Sequence, residues 1–201
     1  MLDKHALQIL RPMLEMIAGQ ARKKNITADQ VTIASFCIGL SGAAAISFNH
    51  FLTGLLLILI NRIGDGIDGI IARTGGATDR GAFLDICLDF VFYSAVVLGF
   101  AIADPAANGL AAAALIFSFV GTGSSFLAFA IMAERRSIAN DRLPSKGFYY
   151  LGGLAEGTET ILFLVLFCLF PAAFPVLAWI FAGICMAATI VRITYGYKTL
   201  T

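Results

Sequence analysis

The sequence predicts an all-α integral membrane protein with six transmembrane helices and an N-terminal amphipathic helix at the membrane interface. Three observations support this fold class. Of the 201 residues, 59% are hydrophobic and only 13% are charged, whereas a soluble domain has about 25% charged residues. The mean hydropathy is +0.85. Apolar stretches of about 20 residues, the length needed to cross a bilayer, follow one another along the chain.

Six such stretches account for most of the chain. They cover approximately residues 31–49, 52–73, 81–103, 108–133, 148–170 and 174–196. Because they leave no room for a separate soluble domain, we expect a single membrane domain over residues 1–201, with its spans within residues 31–196.

The segment before the first span, residues 1–24, has a different pattern. Leu7, Leu10, Leu14 and Ile17 recur at helical spacing between charged residues. This pattern predicts an amphipathic helix that lies in the cytoplasmic interface of the membrane. The segment has neither the uninterrupted apolar core nor the small-residue cleavage site of a signal peptide.

Basic residues predict the orientation of the chain. If the N-terminus is inside, all 14 Lys and Arg residues fall on the cytoplasmic side or in the cytoplasmic half of a span. The outer turns near His50, Asp104 and Pro171 hold none. Because Lys and Arg accumulate in cytoplasmic loops, we expect both termini in the cytoplasm and the protein in the inner (cytoplasmic) membrane of the cell. Such a one-sided basic surface suits anionic lipid and phosphate.

Two local signals define the ends of the first three spans. Thr27 followed by Gln30 three residues later fits a capping box at the start of a helix. The polar, Gly-rich stretch 74–80 is long enough only for a tight connection. The second and third spans are therefore predicted to be antiparallel neighbours.

Four acidic residues lie in these two spans, at Asp65, Asp68, Asp85 and Asp89. An Asp at the centre of a membrane helix costs roughly 2.5–3.5 kcal/mol on insertion scales, so four of them need a compensating partner. The spacing places Asp65 and Asp68 on one face of the second span, and Asp85 and Asp89 on one face of the third. Two such faces turned toward each other would gather four carboxylates.

A divalent metal ion is the natural partner for such a cluster. Like charges at close range cannot all stay ionised without cations between them, and carboxylate oxygens favour hard ions such as Mg²⁺, Mn²⁺ or Ca²⁺. Mg²⁺ commonly adds substrate phosphate oxygens to its ligands, so the site also predicts a phosphorylated ligand. Gly69 and Ala72 would let that ligand approach the backbone, and Arg73 could pair with a phosphate. Taken alone, the small residues are equally typical of close helix packing.

The acids and their neighbours form a motif with fixed spacing. The motif covers 25 residues and reads Asp65-x2-Asp68-Gly69-x2-Ala72-Arg73-x7-Gly81-x3-Asp85-x3-Asp89. It resembles the signature of the CDP-alcohol phosphotransferase family. The spacer after Arg73 has seven residues where many members have eight, and this difference falls in the connecting turn. The six-span layout and the N-terminal helix extend the resemblance over most of the chain. The family fold is a homodimer of six-helix subunits whose active sites open to the cytoplasmic leaflet.

The resemblance implies a role for each motif residue. Asp65, Asp68 and Asp85 would ligate one or two Mg²⁺ or Mn²⁺ ions, with Asp89 also near the metal and acting as the general base. The CDP site would be lined by Gly69, Ala72, Arg73 and Gly81. The implied reaction moves a substituted phosphate group from a CDP-linked lipid such as CDP-diacylglycerol to an alcohol hydroxyl and releases CMP. The implied partners are membrane lipids, donor, acceptor and a second subunit, with no nucleic acid.

Residues outside the motif are candidates for binding the acceptor. Glu156 and Glu159 lie one turn apart near the start of the fifth span, where they can face the cavity, pair with Arg192, or simply favour a helix start. A phosphorylated acceptor could be held by Arg135, Arg136, Arg142 and Lys146, although a cytoplasmic loop is basic for reasons of orientation alone. The acceptor is not selected by the sequence. Asp89 is followed by Phe90, where several phosphatidylglycerol phosphate and inositol phosphate members carry a basic residue, and this disfavours both acceptors.

Three other hypotheses fit part of the pattern. A divalent-cation or proton-coupled transporter also has acids in membrane helices, but usually near the midplane with access from both sides. A membrane prenyltransferase also binds a diphosphate through metal and Asp residues, but such enzymes generally need more helices. A catalytically silent family member is the third hypothesis, although the chain retains every acid of the motif.

Overall fold

The structure is a computed structural model that describes residues 2–136 and 157–200. These residues form seven α-helices and one short 3-10 helix, with no strand among them, so the all-α prediction is confirmed for this part of the chain. The helices are α1 (Leu2–Lys23), α2 (Ala28–Ser47), α3 (Phe51–Gly75), α4 (Asp79–Ala103), α5 (Pro105–Arg135), α6 (Gly157–Leu169) and α7 (Phe174–Thr199), with the 3-10 turn Pro171–Ala173 before α7.

Four segments in the described ranges are long and apolar enough to cross a membrane. They are α2, α4, α5 and the stretch Pro171–Thr199 that contains α7. Helix α3 has 25 residues and is therefore about 37 Å long, but Arg62, Asp65 and Asp68 reduce its apolar character. Helix α6 is apolar and has 13 residues, and residues 148–156 of the predicted fifth span lie outside the described ranges.

The chain divides into two compact units, residues 1–105 and 106–201. In the first unit, α2 packs against both α3 and α4. Small residues allow this packing: a Cβ on Gly42 would lie 3.2 Å from the Gly54 carbonyl oxygen, and one on Gly99 would lie 2.6 Å from the Ala43 carbonyl oxygen. Close approach at small residues is the usual way in which membrane helices associate.

The starts of α2 and α4 lie at the same end of this unit. Thr27 and Gln30 form the predicted capping box, with the Gln30 N–H donating to Thr27 Oγ1 at 3.3 Å and the Thr27 N–H donating to Gln30 Oε1 at 3.0 Å. Arg80 in the first turn of α4 donates to Asp29 in the first turn of α2 at 2.5 Å. Only residues 76–78 connect α3 to α4. The end of α3 therefore lies at the same end of the unit as the start of α4.

Helix α1 packs against α3 close to the motif. Leu14 and Ala18 are buried against Ile67 and Ile71, and Ile17 packs at the edge of the same cluster. Two of the four predicted apolar positions of α1, Leu14 and Ile17, therefore lie on the packed face, whereas the side chains of Leu7 and Leu10 lie outside those described. This packing covers a face of α3 adjacent to the one that carries Asp65 and Asp68.

The second unit contains α5, α6 and α7, and aromatic side chains contribute strongly to its core. The Phe163 and Phe181 rings stack with centroids 4.3 Å apart, and Phe119 meets Phe181 edge to face at 5.8 Å. A Cβ on Gly121 of α5 would lie 3.0 Å from Thr189 Oγ1 of α7. Helix-to-helix packing in this unit thus combines aromatic contacts with a close approach at glycine.

Candidate active site

Three of the four motif acids meet between α3 and α4. One carboxylate oxygen each from Asp65, Asp68 and Asp85 lies within 4.8 Å of the other two. Asp65 and Asp68 are three residues apart and so share a face of α3, whereas Asp85 reaches the cluster from α4. The two helices therefore concentrate three negative charges in one place.

Helix α2 also contributes to the cluster. The Thr32 hydroxyl donates to Asp68 Oδ2 at 2.6 Å, and only 6% of Asp68 is exposed. A hydrogen bond to a carboxylate orients it and offsets part of its desolvation. Thr32 was not among the predicted site residues, although it lies only five residues after the Thr27 cap and thus near the same end of the unit as the acids.

Asp89 lies in the same pocket but outside this triad. Its Oδ1 accepts a hydrogen bond of 2.8 Å from Arg62 Nη2, and its Oδ2 accepts one of 2.9 Å from the Tyr93 hydroxyl. Both carboxylate oxygens of Asp89 are thus engaged by side chains of the first unit. The predicted gathering of four carboxylates takes the form of three that share a metal-sized space and one held beside them.

Arg62 supplies the positive charge in the lining of this pocket. From the sequence it was predicted only to mark the cytoplasmic side. Its Nη1 lies 3.6 Å from Asp65 Oδ2, and its guanidinium sits 4.8 Å from the centroid of the Phe92 ring. Two spacings could have revealed the group: Arg62 precedes Asp65 by one helical turn, and Tyr93 follows Asp89 by one turn. An Arg in the middle of a membrane helix is costly enough to require a partner.

The acids line a narrow pocket that is partly open to the surroundings. Its polar lining comes from Thr32, Ser35, Asn61, Arg62, Asp65, Asp68, Asp85 and Asp89, and its apolar lining comes from Phe36, Leu88 and Phe92. Four carboxylates therefore face a single guanidinium. This imbalance makes the pocket a site for additional positive charge.

The triad suits a hard divalent cation. Mg²⁺ binds oxygen at about 2.0–2.1 Å and Ca²⁺ at about 2.3–2.6 Å, so opposite ligands of one ion are about 4–5 Å apart. The spacing within 4.8 Å among Asp65, Asp68 and Asp85 is compatible with these separations. The ligand set contains only carboxylate oxygen, which selects Mg²⁺, Mn²⁺ or Ca²⁺ over softer metals.

The four residues predicted to line a CDP site lie nearer the turn between α3 and α4, and they are absent from the lining of the acid pocket. Arg73 folds back along α3, and its Nη1 is 3.2 Å from the place of a Cβ on Gly69. The Gly81 N–H donates to Thr78 Oγ1 at 3.1 Å, which caps α4. Ala72 is half-buried. The structure brings these residues to the same end of the unit as the acids.

The residues predicted to bind the acceptor belong to the second unit. Arg135 and Arg136 are exposed at the end of α5, and Glu159 lies in the first turn of α6. Arg192 Nη1 donates to the Thr122 carbonyl oxygen at 3.3 Å. Arg142, Lys146 and Glu156 lie outside the described residues. The predicted pairing of Arg192 with Glu156 or Glu159 stays a prediction.

Comparisons with known sequences identify a family and several relatives. The model of the CDP-alcohol phosphatidyltransferase family matches residues 25–193. The chain is 48% identical over 200 residues to inner membrane protein YnjF of Escherichia coli strain K12, covering 100% of this chain and 97% of that protein. It is 34% identical over 108 residues to the phosphatidylinositol phosphate synthase of Streptomyces avermitilis, covering 51% of this chain and 43% of that protein.

Solved structures share the fold. The phosphatidylinositol phosphate synthase of Mycobacterium tuberculosis with CDP-DAG bound has a TM-score of 0.68 and 19% identity, covering 92% of this chain and 94% of that one. The same enzyme in complex with manganese and citrate has a TM-score of 0.66 and 21% identity, covering 92% and 88% of the two chains. At these identities the likeness concerns the fold.

Proposed function

This chain belongs to the CDP-alcohol phosphatidyltransferase family, and on that premise we propose that the pocket between α2, α3 and α4 is its active site. The protein is an integral membrane transferase of phospholipid synthesis. It moves a phosphatidyl group from a CDP-linked lipid to the hydroxyl of an alcohol, and CMP is the second product. We propose CDP-diacylglycerol as the donor, which is the ligand named for the M. tuberculosis enzyme of the same fold.

The observation that carries the site assignment is the meeting of Asp65, Asp68 and Asp85 within 4.8 Å. A transferase that breaks a diphosphate needs a cation where negative charge accumulates. These three carboxylates would hold one or two Mg²⁺ or Mn²⁺ ions, and the M. tuberculosis enzyme was solved with manganese. When bound, such an ion neutralises the diphosphate and stabilises the departing phosphate oxygen.

The remaining motif residues act on the donor and the acceptor. Asp89 accepts the proton of the acceptor hydroxyl while the hydroxyl oxygen forms a bond to the β-phosphorus. The bond from that phosphorus to the oxygen bridging to the α-phosphate breaks, and CMP leaves with the bonding electrons. Arg73 pairs with a donor phosphate, whereas Gly69, Ala72 and Gly81 let the nucleotide approach the backbone.

The placement in the membrane follows from charge and length. We propose six spans, in which the polar α3 and the segment ending in α6 join the four apolar ones, and an α1 that lies in the interface. The positive-inside pattern favours termini and an active site that face the cytoplasm. The E. coli relative is described as an inner membrane protein. The single membrane domain over residues 1–201 and the homodimer belong to the same proposal, and the homodimer rests on the family resemblance.

The acceptor is proposed only as a small alcohol or phospho-alcohol. Candidates for its recognition remain Arg135, Arg136, Lys146, Glu156, Glu159 and Arg192. The phosphate-binding capacity of the Arg and Lys side chains supports an anionic acceptor. Phe90, which follows Asp89, disfavours the acceptors of the phosphatidylglycerol phosphate and inositol phosphate members.

The test is CMP release by the purified full chain in lipid vesicles with CDP-diacylglycerol and Mg²⁺ or Mn²⁺. The acceptor panel contains glycerol 3-phosphate, serine, inositol, inositol phosphate, choline and glycerol. We expect CMP release with one acceptor, loss of release on chelation of the metal, and its recovery when metal is restored. Asp89→Asn should abolish turnover. Its matched control is Asp79→Asn, which removes an exposed acid from the first turn of α4 and should leave turnover unchanged.

Two other outcomes would change the proposal in different ways. If CDP-diacylglycerol bound in a metal-dependent manner but no acceptor reacted, the donor site would stand and the acceptor would lie outside the panel. If the chain bound no CDP-lipid at all, the proposed site would be wrong. The prenyltransferase and transporter hypotheses would then return, to be tested with a prenyl diphosphate and with Mn²⁺ uptake.

A further inference from the structure

The carboxylate of Asp89 is the centre of a hydrogen-bonded triangle. Arg62 Nη2 donates to Oδ1 at 2.8 Å, the Tyr93 hydroxyl donates to Oδ2 at 2.9 Å, and Arg62 Nη1 donates to the Tyr93 oxygen at 3.2 Å. Each corner therefore contacts the other two. Because the two donors come from different helices, α3 and α4, the triangle fixes Asp89 against rotation about its side-chain bonds.

Arg62 is itself held in place by a second set of contacts. Its Nε donates to Asn61 Oδ1 at 2.8 Å, and the Asn61 Nδ2 donates to the Ser35 carbonyl oxygen on α2 at 2.8 Å. Asn61 is 3% exposed. The guanidinium plane also packs over Phe92. A guanidinium fixed on its Nε side and on one face has little freedom left, so it can impose an orientation on Asp89.

This arrangement leaves the Asp89 carboxylate available to the pocket. Asp85 and Asp89 are one turn apart on α4, so Asp89 lies beside the triad. The carboxylate has lone pairs beyond those used by Arg62 and Tyr93, and it lines the pocket. Asp89 can therefore still accept a proton from a hydroxyl in the pocket while its position is held.

We propose that Arg62 and Tyr93 are positioning residues that hold the Asp89 carboxylate in the orientation that receives the proton of the acceptor hydroxyl. This inference rests on the proposed function, because it takes Asp89 as the base of the transfer reaction. The alternative is that Arg62 serves only to balance the acidic charge of the pocket, with Tyr93 as an incidental neighbour.

Tyr93→Phe distinguishes the two roles because it removes one donor without changing charge. The full chain is assayed in vesicles with CDP-diacylglycerol, Mn²⁺ and the acceptor found in the panel, beside the control Tyr197→Phe, whose tyrosine is 80% exposed. We expect kcat to fall about tenfold or more, the effect of losing a hydrogen bond to a charged group. KM for the donor should stay within about twofold. An unchanged kcat would overturn the proposal.

Arg62→Lys tests the same idea from the cationic side. Lysine keeps the charge but cannot reproduce a planar fork that reaches Asp89 and Tyr93 together. We expect a loss in kcat similar to that of Tyr93→Phe, with donor KM retained. If the Lys variant turned over like the unmodified chain, charge balance alone would explain Arg62 and the positioning role would be wrong.

An infrared measurement tests the orientation without turnover. In protein carrying ¹³C-labelled aspartate, the difference between the unmodified chain and Asp89→Asn identifies the carboxylate bands of Asp89. We expect Tyr93→Phe to shift those bands and Tyr197→Phe to leave them in place. Bands that do not respond to Tyr93→Phe would contradict the proposal. If the unmodified chain released no CMP with any acceptor, that result would count against the proposed function, and the infrared comparison would still decide how Asp89 is held.

Discussion

The side-chain hydrogen bonds around the acidic pocket of the first unit differ from those of three buried hydroxyls in the second unit. In the first unit several of them cross between helices: Thr32 of α2 bonds Asp68 of α3, and Arg62 of α3 bonds Asp89 of α4. Such bonds fix one helix relative to another and fix the side chains with them.

In the second unit three buried hydroxyls donate to carbonyl oxygens of their own helices. These bonds run from Ser118 to Leu115 at 2.7 Å, from Thr122 to Phe119 at 3.0 Å, and from Thr189 to Cys185 at 2.8 Å. A hydroxyl bonded to a carbonyl of its own helix is satisfied locally. Substitution of the first-unit side chains that contact the acids should therefore cost more activity than substitution of a hydroxyl such as that of Thr189.

The largest expected effect is that of Asp68→Asn. The amide keeps the size of the side chain but removes a charge from the triad and weakens its affinity for a hard cation. We expect CMP release to fall by roughly a thousandfold, and Mn²⁺ binding to weaken at least about tenfold. Mn²⁺ binding followed by electron paramagnetic resonance, beside the CMP assay, checks both. Retained Mn²⁺ affinity would remove Asp68 from the metal site.

Gly64→Ala should have the next largest effect, which is a loss of stability. A Cβ on Gly64 would overlap the Ser35 hydroxyl of α2, so the helices must separate, at a cost of about 1–3 kcal/mol in the free energy of unfolding. The matched control is Gly183→Ala in α7, where nothing lies within 4 Å of an added Cβ and the helix should gain slightly. Thermal unfolding in detergent compares the two, and equal stability would contradict the close packing of α2 on α3.

Thr32→Val should have an intermediate effect on turnover. It removes the hydroxyl that donates to Asp68 at 2.6 Å while keeping the shape of the side chain. We expect about a tenfold loss in kcat, since a partner that orients a metal ligand typically contributes this much. The control is Thr194→Val, whose exposed hydroxyl bonds only its own helix and should leave kcat unchanged. Equal activity of the two variants would remove α2 from the site.

Thr189→Val should have the smallest effect. The hydroxyl donates to the Cys185 carbonyl oxygen of the same helix, and that carbonyl already belongs to the helical ladder. We expect kcat within about twofold and a change in stability below about 1 kcal/mol. If kcat fell as much as in Thr32→Val, the predicted difference between the side chains of the two units would be wrong.

Much of this site was predictable because membrane helices are regular. The capping box at Thr27, the all-helical fold and the meeting of Asp65, Asp68 and Asp85 follow from spacing on helices joined by a short turn. The cost of intramembrane charge made these acids candidates for a functional site. Helical geometry alone supplied the face on which each acid lies.

The remaining features depend on which helix packs against which. Thr32 and Ser35 reach the site because α2 packs against α3 at Gly64, and a single sequence does not specify that contact. Asp89 is held beside the triad by Arg62 and Tyr93, of which Arg62 entered the sequence-based predictions only as a marker of orientation and Tyr93 did not enter them. Likewise, the amphipathic pattern of α1 predicted an interfacial helix but not that Leu14 packs against α3.

The central claim, that this pocket catalyses transfer with Asp89 as the base, is tested most directly by Asp89→Asn. CDP-diacylglycerol binding and CMP release are measured on the same vesicle preparation with Mn²⁺ present. We predict a donor affinity within about threefold of the unmodified chain and turnover lower by about a hundredfold to ten-thousandfold, the usual contribution of a general base. Equal loss of binding and turnover would contradict the role assigned to Asp89.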